Sequence, residues 1–493
     1  MPRPMEPLDP KDFGYWEAHH LLQRAGFGGT PEQVLSLTEM GLDGAVDHLV
    51  NWTTVPDPVP DPGFKNGIMR ATDEERQMRL MARRNGDEAT LEKARMQRQQ
   101  RQREDREQIA RARDWWLERM IETSRPLQEK MTLFWHGHFA TGYRAVEDSW
   151  HLLQQNELFR NNAVGNFKDK LVQGIIRDPA MIKYLNNNQN RRGAPNENLA
   201  RELMELFTLG EGNGYTENDI KEGARALTGF NFSDDEFTFN SRQHDGDPKT
   251  IFGRSGNWGG DDFVELIFTR PTSSTWICWK LYRFFCDDAE ASTDQSMSVV
   301  NAMGKTLRRK DFTLAPVLHE LLRSKHFYHP TRRGTMVKSP VQLVVQACRT
   351  MDLPARNIRM LNDACEIMGQ SLFAPPNVKG WDGGTAWINT STLFTRQNTL
   401  VFLLTGREPG SSPWDGGALD HDLARLVKHL PDIPSRDRPA DAATYLSRFL
   451  LGVMPEPDRL NQWADLARQR DLNTATVTRL VAMITAAPEY QLC

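Results

Sequence analysis

Three groups of residues in this 493-residue chain have the types and spacing to do chemistry. The first is Phe134-Trp-His136-Gly-His138-Phe139, a His-x-His pair of the kind that ligates zinc, manganese or iron. If the preceding helical pattern continues, His136 and His138 point almost oppositely and cannot share one ion. If Gly137 ends the helix, or the segment is extended, they lie on one side. The second is Pro195–Leu209, where Glu197, Arg201 and Glu205 stand four apart, so that Arg201 can pair with either carboxylate. There Glu202, beside Leu206, falls at the edge of the apolar arc, with Asn198 and Glu205 close by. Two carboxylates one turn apart, one of them half-buried, can hold a divalent metal or share a proton. They can equally be ordinary surface ion pairs. The third is His244-Asp245-Gly-Asp in an irregular stretch, which supplies ligands or a general base, or else a solvated turn.

Two further groups could surround such a site. His20 and Arg24 lie one turn apart on the first helix, poised for an interhelical hydrogen bond or for the site itself. The segment Phe373-Ala-Pro-Pro-Asn-Val-Lys-Gly-Trp381, continuing to Trp387, is a rigid Pro/Gly loop. Its indole rings can stack on a planar group or plug a gap between helices. No phosphate loop GxxxxGK[ST], no GxSxG and no HExxH occurs, which argues against a P-loop enzyme, an ordinary serine hydrolase and a zincin.

The elements that must position these residues read as helices. Helical periodicity covers Tyr15–Ala25, and a second helix opens at Thr30-Pro31-Glu-Gln33 with a capping box and proline at its first position. From Asp73 to Asp114, 12 Lys/Arg and 10 Asp/Glu interleave with almost no apolar stripe, predicting a solvated, projecting helix or helical pair. Helical patterns continue through Pro126–Trp135, Val164–Ile176, Pro195–Leu209 and Glu217–Thr228. Phe230–Trp258 reads as an irregular or short-strand excursion, and helices resume from Asp261 to about Met368 and at Thr392–Leu404. The fold class is therefore mainly α. Residues 1–405 form a helical core with a charged insertion at 73–114, and Gly406–Gly417 is a linker. Residues 418–493 form a C-terminal helical subdomain.

Composition narrows the classes. With 61 Lys+Arg against 65 Asp+Glu the net charge is −4, which speaks against a dedicated nucleic-acid binder. A hydrophobic share of 39% excludes wholesale disorder, and no apolar run approaches the ~20 residues of a membrane span. Five scattered cysteines and a start without the succession of a secretory signal point to a reducing, cytoplasmic location.

Several blocks together resemble one family. They are His20-Leu-Leu-Gln-Arg-Ala-Gly-Phe-Gly-Gly-Thr-Pro, Arg125-Pro-Leu-Gln-Glu-Lys-Met-Thr-Leu-Phe-Trp-His-Gly-His-Phe-Ala-Thr and Gly193-Ala-Pro-Asn-Glu-Asn-Leu-Ala-Arg-Glu-Leu-Met-Glu-Leu-Phe-Thr-Leu-Gly. Ala226-Leu-Thr-Gly, His244-Asp, Val337-Lys-Ser-Pro, Phe373-Ala-Pro-Pro-Asn-Val-Lys-Gly-Trp and Pro488-Glu-Tyr-Gln-Leu complete the set. In order and spread they look like the bacterial family catalogued as domain of unknown function 1800. Relatives often carry an export signal, and the resemblance implies a partner similar to sulfatases and alkaline phosphatases encoded nearby. The leading expectation is a metal-dependent enzyme, hydrolytic or oxidative. His136 or His138 with Glu202 and Glu205 would hold a divalent metal, and Arg201 and His244 would join Glu202 and Glu205 in the chemistry. His20, Arg24, Glu197, Asn198, Asp245, Trp381 and Trp387 would orient those groups or touch substrate. The rival expectation is a non-catalytic scaffold in which the same polar groups fix helix registry.

Overall fold

The structure, a computed structural model, describes residues 4–57, 59–60, 62–289, 292–407, 422–428, 438–468 and 473–493. It is 64% helical, with 21 α-helices and two antiparallel two-stranded sheets among the described residues. Most of the expected linker at 406–417 and part of the 418–493 region lie outside those residues.

Local sequence chemistry sets many of the helix starts. Thr30 Oγ1 accepts the Gln33 amide at 3.3 Å while Gln33 Oε1 accepts the Thr30 amide at 3.0 Å, the reciprocal box that opens Pro31–Val50. Thr72 with Glu75 and Thr216 with Asp219 do the same for Asp73–Asn85 and Glu217–Ala226. The charged stretch is a helical pair, Asp73–Asn85 followed by the 35-residue helix Glu88–Glu122. At 1.5 Å per residue the longer helix spans roughly 50 Å. Its first half is exposed and its second half buries Ile109, Ala112, Trp116 and Met120 in the core, so the pair is a solvated arm rooted in the body.

The excursion after the Glu217 helix consists of two hairpins. Strands β1 (Phe230–Ser233) and β2 (Glu236–Phe239) pair Phe230 with Phe239, and β3 (Lys249–Ile251) and β4 (Arg254–Gly256) pair Lys249 with Gly256. Asp234 takes a positive φ of 53° in the first hairpin's turn, a conformation that Asp tolerates better than most residues.

The C-terminal helices lean on the first one. Tyr15 and Tyr445 share a 2.6 Å hydroxyl hydrogen bond, Arg448 lies 4.0 Å from the Trp16 ring centroid, and Phe449 packs on His19. Near residue 490 the chain returns to the body as an isolated bridge between Val337 and Leu492, with the Lys338 amide donating to Gln491 O at 2.8 Å. All five cysteines are buried and free, and among the described residues no helix is long and apolar enough to cross a membrane.

Candidate functional site

The helix carrying the His-x-His pair runs unbroken from Pro126 to His138, so the continuous-helix geometry holds and the two rings diverge. His136 Nε2 accepts the Asn156 amide at 2.9 Å, and its ring sits 4.6 Å from that of Trp116. His138 Nε2 donates to Phe207 O at 2.9 Å. Burial lowers both to about 3, so both rings are neutral around pH 7. His136 and His138 therefore cannot both serve one ion with Glu202 and Glu205. Among the described residues, no three of His136, His138, Glu202 and Glu205 bring ligand atoms within 4.8 Å of one another.

The remaining expected residues fall into separate groups. Arg201 donates to Glu197, Glu205 and Glu217 at 3.0, 3.2 and 2.8 Å, a partly exposed clamp rather than a catalytic pair. Glu202 is half-buried and raised above its ordinary value, chiefly by desolvation. Its helix is not the regular one expected, since Asn198–Glu202 passes into a π-helical stretch at Leu203–Thr208. The carbonyls near the end of that stretch lack helical partners. Leu206 O accepts Trp276 Nε1 at 2.8 Å and Phe207 O accepts His138. Asn198 is exposed, and Asn196 Oδ1 accepts its amide. His244 bonds Thr228 O at 2.8 Å, and Asp245 pairs with Arg225 at 2.8 Å; both tie the hairpins to the Glu217 helix. His20 is buried against Phe327, whose carbonyl it meets at 3.1 Å.

Four of the expected residues, Arg24, His138, Trp381 and Trp387, do meet, around a cavity of about 220 Å³. Its walls come from seven separate segments, Arg24, Gln370 and Cys493 being single-residue contributions. The Pro126 helix contributes Lys130, Phe134, Gly137 and His138, which share one face at i, i+4, i+7 and i+8. The Thr272–Phe285 helix contributes Lys280, Arg283 and Phe284, again within one turn. Val337, Lys338, Ser339 and Gln342 form the edge where the Pro340–Met351 helix begins, capped by Ser339 Oγ. The loop 379–387 makes the roof. Gly380 has φ +87°, and a Cβ there would come within 2.1 Å of Gly137 O. Only glycine lets the loop backbone lie so close to the helix and bring the Trp381 ring over it.

The cavity is cationic. Arg24, Lys130, Lys280, Arg283, Lys338 and Lys379 line it, against Asp288, Asp382 and Cys493, whose negative charge acts on Lys130 and Lys338. Among the described residues the first five have no carboxylate within 4.0 Å, and Lys379 reaches only Glu211 at 4.0 Å. Asp288 is engaged elsewhere, accepting the Val337 amide at 3.0 Å. The buried cations rest on neutral groups. Arg24 donates to Phe285 O at 3.4 Å, and to Arg332 O and Met336 Sδ. Lys130 donates to Gln342 Oε1, with its ammonium 5.0 Å from the Phe27 ring and 5.5 Å from the Phe284 ring. Lys338 donates to Tyr490 O at 2.8 Å, its ammonium 3.8 Å from the Tyr490 ring centroid. Lys280 makes no hydrogen bond among the described residues and lies 4.9 Å from the Trp276 ring.

Desolvation pushes Lys130 and Lys280 down to about 8 and Lys338 to about 7. Elsewhere the protein neutralises some buried cations with carboxylates, while Lys249, Arg349 and Arg396 rest singly on carbonyl and amide oxygens. Fully buried Glu129 accepts Arg119 Nε at 2.6 Å, Arg160 Nε at 2.7 Å and Trp116 Nε1 at 2.9 Å. The cavity differs in gathering several such cations in one place. A buried charge without an opposite charge is costly, and an anion entering here would remove the cost.

Lys130, Lys280, Arg283 and Lys338 were not among the residues expected from sequence. Lys130, one turn before Phe134, and Lys280, one turn before Phe284, stand beside aromatic residues on their helices, a signal too common to single them out.

One His/Asp triad could hold a metal ion, at a place the sequence did not indicate. Asp148 caps the Ser149–Asn161 helix, its Oδ1 accepting the Trp150 and His151 amides at 3.1 and 3.3 Å. His151 Nε2 lies 3.4 Å from Asp235 Oδ1 and 3.8 Å from Asp148 Oδ2, and it also meets Asp234 O at 2.9 Å. One ligand atom from each of Asp148, His151 and Asp235 falls within 4.8 Å of the others. Arg70 and Arg76, from beside and within the arm, pair with Asp235 and Asp234.

Residues 20–492 match the model of a family described as Protein of unknown function (DUF1800). No curated protein and no solved structure matches the chain.

Proposed function

We propose, on the premise that this chain belongs to the DUF1800 family of proteins of unknown function, that its principal site is a receptor pocket for a small organic anion. One observation carries the reading. Arg24, Lys130, Lys280, Arg283 and Lys338 converge on one cavity without a carboxylate partner among the described residues. Unpaired cations oppose folding, so their concentration at a single place fits a site that gains stability when an anion arrives. The lining supports this, since Phe134, Phe284, Trp381 and Trp387 offer apolar and aromatic surface beside the charges. His138, neutral and fixed through Nε2, can present its other nitrogen only as an acceptor.

The test is calorimetric titration of the full-length protein with sodium sulfate, inorganic phosphate and benzoate, at constant ionic strength against chloride. At least one oxyanion is expected to bind with a dissociation constant of about 1 mM or tighter and to raise the melting temperature. Lys280→Ala is expected to weaken binding about tenfold. Binding no stronger than that of chloride for all three would sink the reading.

A second reading, a metal-dependent role, is supported by the Asp148–His151–Asp235 triad rather than by the His136/His138/Glu202/Glu205 set. Two carboxylates and one imidazole suit zinc or manganese and would leave positions for water. The rival scaffold role is favoured by the arm, where Met78, Leu80, Met81 and Met96 are all more than half exposed.

A further inference from the structure

The cations of the cavity stand in two tiers. Arg24, Lys130 and Lys338 are at most 7% exposed and form the floor. Lys280 and Arg283 are half-buried and stand nearer the mouth, with exposed Lys379 at the rim. The electrostatic neighbourhoods divide in the same way. Lys130 feels the opposite charge of Cys493 and then the like charge of Arg24, whereas Lys280 feels only the like charges of Arg283 and Lys379 and itself acts on His138. Along the Pro126 helix the tiers are separated by the run from Lys130 to His138, eight residues or roughly 12 Å. Between them the wall is apolar: Leu133 and Phe134 from one helix and Phe284 from the other.

We infer that the cavity takes a dianion, a compact flat or ring-shaped molecule with one anionic group for the floor cations and a second for Lys280 and Arg283. The inference rests on the anion-pocket reading and adds the number and spacing of the charges. A monoanion seated on the floor would leave Lys280 and Arg283, like charges three residues apart on one helix face, without an anionic partner. A second anionic group answers them. The volume agrees, because an engineered cavity of about 150 Å³ accepts benzene, and 220 Å³ accommodates a ring with substituents at both ends. The aromatic residues along the wall and roof match a planar body.

The experiment compares benzoate with benzene-1,4-dicarboxylate by calorimetry on the full-length protein, at pH 6.5 and constant ionic strength, with inorganic phosphate as a third probe. The dicarboxylate is expected to bind at least tenfold more tightly than benzoate. Lys280→Gln/Arg283→Gln is expected to bring the ratio of the two affinities near one, and Lys130→Met to weaken both ligands. Circular dichroism of each variant confirms that it is folded, and Lys280→Gln alone, at a half-buried position, gives an intermediate ratio if the double variant does not fold. If benzoate binds but the dicarboxylate binds no better, the two-tier inference is overturned and the anion pocket survives. If benzoate, dicarboxylate and phosphate all bind no better than chloride, both are overturned.

Discussion

Replacing Lys338 with methionine should make the protein more stable at neutral pH while weakening its hold on anions. Lys338 is 1% exposed, and burial lowers it from the ordinary 10.5 to about 7. At ~1.36 kcal/mol per tenfold change, the charged form costs the fold about 5 kcal/mol relative to the unfolded chain. The sign follows from proton counting. Between pH 7 and 10.5 the unfolded chain holds the Lys338 proton and the folded chain has released it, so stability rises with pH across that window and is flat below it. Lys130 and Lys280 act in the same direction from about 8 upward. Lys338→Met removes the charging cost but also the bond to Tyr490 O and the contact with its ring, a loss of about 1–3 kcal/mol. The net expectation is a gain of about 2 kcal/mol at pH 7, falling to zero or reversing by pH 10. The assay is urea unfolding of both proteins at the two pH values. Taking the difference between proteins cancels the tyrosines and other lysines that titrate in the same range. A variant less stable than the parent at pH 7, or a difference that does not change with pH, would refute the account of Lys338 as an uncompensated buried cation.

Other outcomes follow from the same geometry. Gly380→Ala places a methyl group against Gly137 O at a positive φ, and should cost about 2–4 kcal/mol in urea unfolding and abolish anion binding with it. Glu202→Ala should change stability by less than about 1 kcal/mol, since this half-buried carboxylate makes no hydrogen bond or ion pair among the described residues; a larger loss would restore it to a structural or catalytic network. Zinc titrated into metal-free protein should bind at one site per chain, and His151→Ala should weaken that binding at least tenfold; unchanged affinity in the variant would remove the triad from consideration.

Much of the fold was legible because its signals are local. The capping box at Thr30–Gln33, the interleaved charges of the arm and the loss of helical period after Phe230 each act within a few residues, and each corresponds to an element found. The π-helical stretch at Leu203–Thr208 was not legible, since its apolar spacing also satisfies an ordinary helix. The cavity was legible only in pieces. Arg24 and the Trp381 loop attract notice by their residue types, whereas Lys130 and Lys338 look like any surface lysine until residues from seven segments meet. The metal triad had half a signal, Asp148 at the cap of a helix and His151 three residues on in its first turn. Its third member comes from the turn between β1 and β2, more than eighty residues on.

The return of the chain near residue 490 has a bearing on the order of folding. Tyr490 O receives Lys338, and Gln491 meets both the Lys338 amide and Arg396. Contacts this far apart in sequence close long loops, so the floor where Arg24 and Lys338 meet is expected to set after the local helices have formed.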